Sequence, residues 1–327
     1  MSGFTITGGG SFSGGFAFTE GPPPPPENTA AWFGGGNVGI NGLVSRVDRI
    51  TFATDTATAS VRGPLSAINR QEAAVGNSDY AWFGGGLAPG NPSGGKSTVD
   101  RITYATDTAT ASVRGPLSLA RYKFLAAVGN SDYGWFGGGY AFPGIAYSRI
   151  DRITYATDTA TASIRGPLSG ARYQLAAAGN TTDGWFGAGF NASARSTVDR
   201  ITYATDTATA SVRGPLSSAK TYLAAAGNTT DGWFGGGSPG PSSTVDRITY
   251  ATDTATASVR GPLSASTRSL AAAGNTTDGW FGGGNVGFPS DSSTVQRITY
   301  ATDTATASVR GPLSLARDLL AAAGGIQ

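Results

Sequence analysis

Residues 53–66 read ATDTATASVRGPLS. The same fourteen letters return at Ala105, Ala204, Ala251 and Ala301, and a sixth copy at Ala156 differs only in Ile164 for Val. A chain that repeats one phrase while rewriting what lies between is assembling one small unit several times, so the period decides the architecture. Tryptophans mark that period: Trp32, Trp82, Trp135, Trp185, Trp233 and Trp280 are spaced by 50, 53, 50, 48 and 47 residues. One unit, from Leu125, reads LAAVGN-SDYG-WFGGG-YAFPGIAYSRI-DRITYATDTATASIRGPLS-GARYQ.

Each unit reads as four short strands. The small-residue run LAAxGN is the first, the aromatic-glycine run GWFGGG the second, VDRITYA the third and TASVRG the fourth. The last is reached through the turn TDTA, whose Asp and Thr can bond their own backbone. Glycines end the second strand, and Gly-Pro ends the fourth because proline has no N–H for a ladder. The Thr, Gly and Pro density and the lack of a 3.6-residue apolar stripe argue against a helical repeat. Four strands per unit, a glycine cluster in each and a period near 50 predict an all-β, six-bladed β-propeller with four antiparallel strands per blade. The first unit starts at Trp32 without its LAAxGN strand, while an orphan LAAAGG follows the last unit from Leu320. The C-terminal strand is therefore expected to complete the first blade and close the ring, leaving residues 1–30 as an arm and 31–327 as the disc.

The blade pattern resembles kelch repeats, which carry a glycine doublet at the end of the second strand and a proline and arginine before the next inner strand. Gly137, Gly138 and Gly139, the run ITYATDTATAS and the segment GPLSxAR match it, with Arg121, Arg172 and Arg317 at the kelch arginine. The usual fourth-strand tryptophan is absent, and the Trp stands before the glycines instead. The wording DRITYATDTATASVRGPLS with LAAAGN and WFGGG is also similar to virion structural proteins of tailed marine bacteriophages of the cyanophage type. That resemblance runs from Ala31 onward. It implies a non-enzymatic virion structural protein, made in the host cytoplasm and placed in the tail (fibre, baseplate or adaptor). A capsid decoration protein (head fibre) or a soluble carbohydrate-binding lectin or adaptor are the alternatives.

Composition narrows the chemistry. The chain has no histidine and no cysteine, so triads, thiol nucleophiles and ordinary zinc or copper sites lack their residues. Its acids recur in sets rather than as a unique pair, and its glycine runs lack the lysine and helix of a phosphate loop. No catalytic residue, cofactor or metal is expected, although a ring of turn aspartates leaves weak calcium binding open. A net charge of +2, with arginines spread over the repeats, offers no field for nucleic acid. No run is long and apolar enough for a membrane span, and the N-terminus lacks the regions of a signal peptide.

The unedited phrase reads as packing, since each residue meets nearly the same partners in every blade. The Asp-Arg dipeptides (Asp100-Arg101, Asp151-Arg152, Asp199-Arg200, Asp246-Arg247) are expected to form ion pairs within or between blades, with Gln296 replacing the Asp in the last unit. The edited segments lie between the glycines and the third strand, and after GPLS. Alternating strand direction puts both on one side and the turns on the other, which predicts a varied face and a uniform face. Loops on a rigid scaffold carry binding, or drift because nothing constrains them. Tyr140, Phe142, Tyr147, Phe190 and Phe288 are the candidate ligand or partner contacts there, unless they fold over the rim and cover local apolar surface. Residues 1–30 hold Phe4, Phe12, Phe16 and Phe18 among glycines, then five prolines from Pro22 to Pro26. That reads either as an anchor on a stiff polyproline spacer or as a disordered tail. The partners expected are other virion proteins through this arm, a host-surface glycan or receptor at the disc, and a larger oligomeric assembly.

Overall fold

The computed structural model describes residues 29–40, 42–88, 95–287 and 289–324. The chain forms six four-stranded antiparallel sheets arranged as the blades of a propeller. In the third blade, Ala126–Gly129 lies innermost, followed outward by Tyr133–Gly137, Ile150–Thr154 and Ser163–Arg165. The first blade is completed by Ala321–Gly324, which pairs with Ala30–Gly34 so that Trp32 faces Ala323. The closure expected from the orphan strand is thus realised, and every blade has its full set of four strands. The expected third strand is shorter than its letters suggest, because the following Tyr-Ala-Thr (Phe52-Ala-Thr in the first blade) leaves the ladder as a single 3-10 turn, for example Tyr155–Thr157.

Neighbouring blades meet through side chains of the repeated phrase. Each tryptophan donates its indole N–H to the turn aspartate of the next blade at 2.8–2.9 Å: Trp32 to Asp107, Trp82 to Asp158, Trp135 to Asp206, Trp185 to Asp253, Trp233 to Asp303 and Trp280 to Asp55. The third-strand arginine of the same blade reaches that carboxylate at 3.0–3.2 Å. A fourth-strand arginine stands 3.4–3.6 Å away. Above the hydrogen bond the indole stacks on the aromatic ring of the next blade's 3-10 turn, at 3.8–4.0 Å between centroids. Each TDTA aspartate is therefore engaged by one indole and two guanidiniums.

Two glycine positions are fixed by close approach. A Cβ on Gly34, Gly84, Gly137, Gly187, Gly235 or Gly282 would fall 2.7–3.0 Å from the phenylalanine ring of the next blade. On the glycine of Arg-Gly-Pro it would fall 1.9–2.0 Å from a main-chain carbonyl of the neighbouring turn. That same glycine's N–H donates to the turn aspartate's carbonyl, as in Gly63 to Asp107 and Gly311 to Asp55. The core is consequently a set of wedge-shaped inter-blade layers rather than one central cluster, each combining residues of adjacent blades.

The Asp-Arg dipeptides form ion pairs both between blades and, for Arg200 and Arg247, within their own, while Asp100 has a serine partner instead. The two members point in opposite directions as strand alternation requires. Arginine reaches forward to the next blade's turn. Aspartate reaches back to the connector from the preceding blade: Asp48 to Arg317 and Asp151 to Arg121 at 2.7 Å, Asp199 to Arg172 at 3.1 Å, Asp246 to Lys220 at 3.0 Å. In the sixth blade Gln296 replaces the acid and Thr267 the connector cation, so both charges are absent, and the glutamine accepts from the Ser264 hydroxyl and the Ala265 N–H instead. Burial lowers the affinity of the Arg121, Arg172 and Arg317 guanidiniums for their protons, and the aspartate partners oppose that shift.

Candidate functional site on the varied face

The inner strands are joined to the outer strands of the preceding blade by short connectors, and the connectors meet the loops that follow the glycines. In four blades those loops fold into small antiparallel ribbons, such as Tyr140–Ala141 with Ile145–Ala146 and Phe190–Asn191 with Ser193–Ala194. Each connector is bridged on one side to the loop of its own blade and on the other to the loop of the next. Examples are Arg121 N–H to Lys96 C=O at 3.1 Å and Tyr140 N–H to Tyr122 C=O at 2.9 Å. The chain continues with Phe190 to Tyr173 at 2.7 Å, Lys220 to Arg195 at 3.0 Å and Ser238 to Thr221 at 2.8 Å. It closes with Arg317 to Ser292 at 3.2 Å and Asn37 to Asp318 at 2.8 Å. The edited segments therefore share one face, as alternation predicts, and main-chain hydrogen bonds tie them into a circuit.

Inside that circuit each connector turns through a left-handed residue before its inner strand: Gln71, Phe124, Gln174, Tyr222, Ser269 and Leu319 all have φ between 52° and 63°. Their N–H groups pass hydrogen bonds from blade to blade, with Gln71 to Leu319, Leu319 to Ser269, Ser269 to Tyr222 and Tyr222 to Gln174 at 2.8–3.1 Å. Phe124 and Tyr222 come from connectors two blades apart, yet their rings meet edge-on at 5.3 Å. The central channel below, lined by the alanines and glycines of the inner strands, has a volume of about 110 Å³.

One sector of this face is aromatic. Tyr122 meets Tyr140 edge-on at 5.5 Å, Tyr140 meets Tyr173 at 5.1 Å, and Tyr173 meets Phe190 at 5.5 Å. The Lys123 ammonium sits 3.9 Å from the Tyr140 centroid and 5.4 Å from that of Tyr173. The four rings and the lysine are half-buried, leaving amphipathic edges toward solvent. Burial pushes the Tyr122 and Tyr173 hydroxyls above the ordinary tyrosine value, with Tyr140 adding to the shift, so both remain hydrogen-bond donors at neutral pH.

Of the residues expected to make contacts, Tyr140 and Phe190 stand in this cluster. Phe142 is 61% exposed at the tip of the Tyr140 ribbon, and half-buried Tyr147 lies at its base, bonded through its main chain to Gly139 and Arg172. Phe288 and the candidate anchors Phe4, Phe12, Phe16 and Phe18 fall outside the described residues. Tyr122, Lys123 and Tyr173 belong to the site although the loops alone do not reveal them. Their signal is the aromatic letters of the connectors LARYKF and GARYQ, which share the varied face.

A second irregular place lies at the junction of the first and second blades. The connector position occupied by leucine in the other five units is Glu72, buried to 2% exposure against Gly35 of the first blade. Desolvation raises its carboxyl to about 8. The arginine position is Asn69, so its partner Asp100 keeps only the serine contact that Asp48, Asp151 and Asp199 make beside their arginines, with the Ser66 hydroxyl at 2.6 Å and main-chain N–H at 3.1 Å. Among the described residues no group of three or more His, Cys, Asp or Glu side chains comes together, and no helix is long and apolar enough to cross a membrane. No protein-family model matches the chain, and no curated protein matches it in sequence.

Proposed function

We propose that this chain is a non-enzymatic display protein, in which a rigid propeller presents the Tyr122–Tyr140–Tyr173–Phe190 sector to a macromolecular partner. The observation that carries this reading is the concentration of half-exposed aromatic rings and a lysine on the one face whose sequence is rewritten from blade to blade. Clustered tyrosines supply large, stiff contact area with polar tips, the composition of binding hot spots. The conspicuous acids of the repeats are engaged in inter-blade pairs, which leaves little inventory for acid–base chemistry. The resemblance of the repeat wording to virion proteins supplies the setting: a tail component of a bacteriophage particle, held by residues 1–30, with the aromatic sector facing the host surface or a neighbouring virion protein. A lectin-like soluble protein is the second reading, favoured by the same tyrosines.

Antibody to the disc, applied to purified virions and imaged, tests the setting. Label on the tail is the expected result, label over the capsid moves the protein to head decoration, and no label on any particle removes the virion reading. The paired variant Tyr140→Ala with Tyr173→Ala tests the surface itself. It should lose attachment to the particle's host or neighbour protein while its melting transition stays cooperative.

A further inference from the structure

The turn face is not uniform. In the last three blades the turn between the inner and second strands reads Asn-Thr-Thr-Asp, and its aspartate (Asp183, Asp231 or Asp278) accepts a hydrogen bond at 2.6 Å from the threonine opposite. An arginine stands 3.4–3.7 Å from each of these carboxylates. In the second and third blades the turn reads Asn-Ser-Asp-Tyr, so Tyr80 and Tyr133 replace the aspartates, with Arg101 and Arg152 over their rings at 4.4 Å. Only the junction of these two blades is flanked by tyrosine on both sides. A cavity of about 380 Å³ opens there, lined by Asn77 and Tyr80 of one blade and by Ser131, Asp132, Tyr133 and Thr154 of the next, among others. That volume lies within the roughly 300–1,000 Å³ of small-molecule sites.

The lining selects the ligand. Both nearby guanidiniums are engaged, each stacked on its tyrosine and 3.0 Å from the turn aspartate of the following blade. The exposed Asp132 at the rim disfavours an anion. What is offered is the Tyr80 and Tyr133 rings with their phenol hydroxyls, the Asp132 carboxylate, the Ser131 and Thr154 hydroxyls and the Asn77 amide, whose N–H makes only a long 3.5 Å contact with the Ser131 carbonyl. Aromatic rings take the C–H face of a sugar, while carboxylate, amide and hydroxyls take its hydroxyl groups. We propose that this cavity binds a neutral pyranose, as one or two rings of a glycan. It lies on the face opposite the aromatic sector and does not rest on the function proposed for that sector.

Saturation-transfer NMR on the full chain, with methyl glucosides, galactosides, mannosides and N-acetylglucosaminides as probes, tests this. At least one pyranoside should give ring-proton signal, and Tyr133→Asp should weaken binding at least tenfold. The variant keeps the fold because three blades already carry aspartate at that position, and Tyr80→Asp provides an independent second reading from the other wall. Arg195→Thr, on the opposite face, should leave the signal unchanged. Silence from every pyranoside, or signal undiminished in both tyrosine variants, overturns the proposal.

Discussion

The outer half of each blade junction and the varied face are both closed circuits of hydrogen bonds, but they are built from different atoms. Around the outer half, main-chain bonds such as Gly63 to Asp107 are joined by side-chain links, an indole, two guanidiniums and an aspartate repeated six times. On the varied face, the links are main-chain N–H and C=O groups. A side-chain circuit reads the sequence at every step, because each partner is the neighbouring copy of the same phrase, and an edit in one blade must be answered in the next. A main-chain circuit holds its loops without reading their side chains, so tyrosine, serine or arginine can occupy equivalent places. This difference explains why one stretch is copied and the other rewritten. Packing does not explain all of the copying, since Val113, Ile164, Val212 and Val259 are repeated almost without change at 58–59% exposure.

The strongest test of the side-chain circuit is Asp206→Ala. It strands the Trp135 N–H, 2.9 Å from the lost carboxylate, together with Arg152 and Arg165. Removing one partner of a buried charged network costs about 3–5 kcal/mol, and the unmet indole adds to that. Chemical denaturation should place the loss near ~5 kcal/mol. A loss under ~1 kcal/mol would mean the circuit is ornamental.

The buried connector pairs offer a sharper case, because the chain contains its own control. Arg121→Thr alone leaves buried Asp151 with only the more distant Arg149 guanidinium at 3.3 Å and should destabilise by about 3 kcal/mol. Adding Asp151→Gln recreates the uncharged Thr267 and Gln296 combination of the sixth blade, in which the glutamine accepts from Ser264 at 2.8 Å. The double variant should recover most of the loss. If the two changes are simply additive, the pairing rule is wrong.

Much of this was legible before any coordinates. The Trp spacing, the four-strand reading and the orphan C-terminal strand follow from repeats and turn residues, which act locally. The joint loss of both charges at Gln296 and Thr267 was also within reach, because aligning the six units shows the two departures at the same junction. The aspartate partner of each tryptophan was not. Trp135 and Asp206 are 71 residues apart, and only the packing of blade on blade brings them together. The aromatic sector was half legible: the loop residues Tyr140 and Phe190 stood out, while the connector residues Tyr122, Lys123 and Tyr173 join them only because the circuit draws loops and connectors side by side. The turn face looked uniform because TDTA is invariant, and the exchange of aspartate for Tyr80 and Tyr133 gained meaning once those rings flanked a single cavity.

Glu72 is a place where the varied face intrudes on the core. Its carboxyl is raised to about 8 in the folded chain, chiefly by desolvation, against 4.5 for an unperturbed glutamate. The folded state therefore holds this proton more tightly than the unfolded state. Stability from this group is full below pH 4.5 and is lost as pH rises toward 8. Asp318, raised to about 7 by burial and by Asp291, contributes with the same sign. Glu72→Leu restores the residue of the other five units and should flatten the melting temperature between pH 5 and 8.5. The gain at the upper end should be about 1.5–3 kcal/mol, the value of burying one leucine side chain. The difference between the two pH curves isolates Glu72 from Asp318, and parallel curves would remove Glu72 as the cause.

The smallest effect is expected where the main chain does the holding. Arg195 donates its N–H to Gly189 at 2.8 Å and accepts from Lys220 at 3.0 Å, while its side chain is exposed. Arg195→Thr should change stability by less than about 0.5 kcal/mol, as for any surface substitution away from a special feature. Arg195→Pro keeps the carbonyl, removes the donor and should cost about 1–3 kcal/mol, since the Gly189 carbonyl loses its partner. If threonine proves as damaging as proline, the varied face is read through its side chains after all, and the contrast between the two circuits fails.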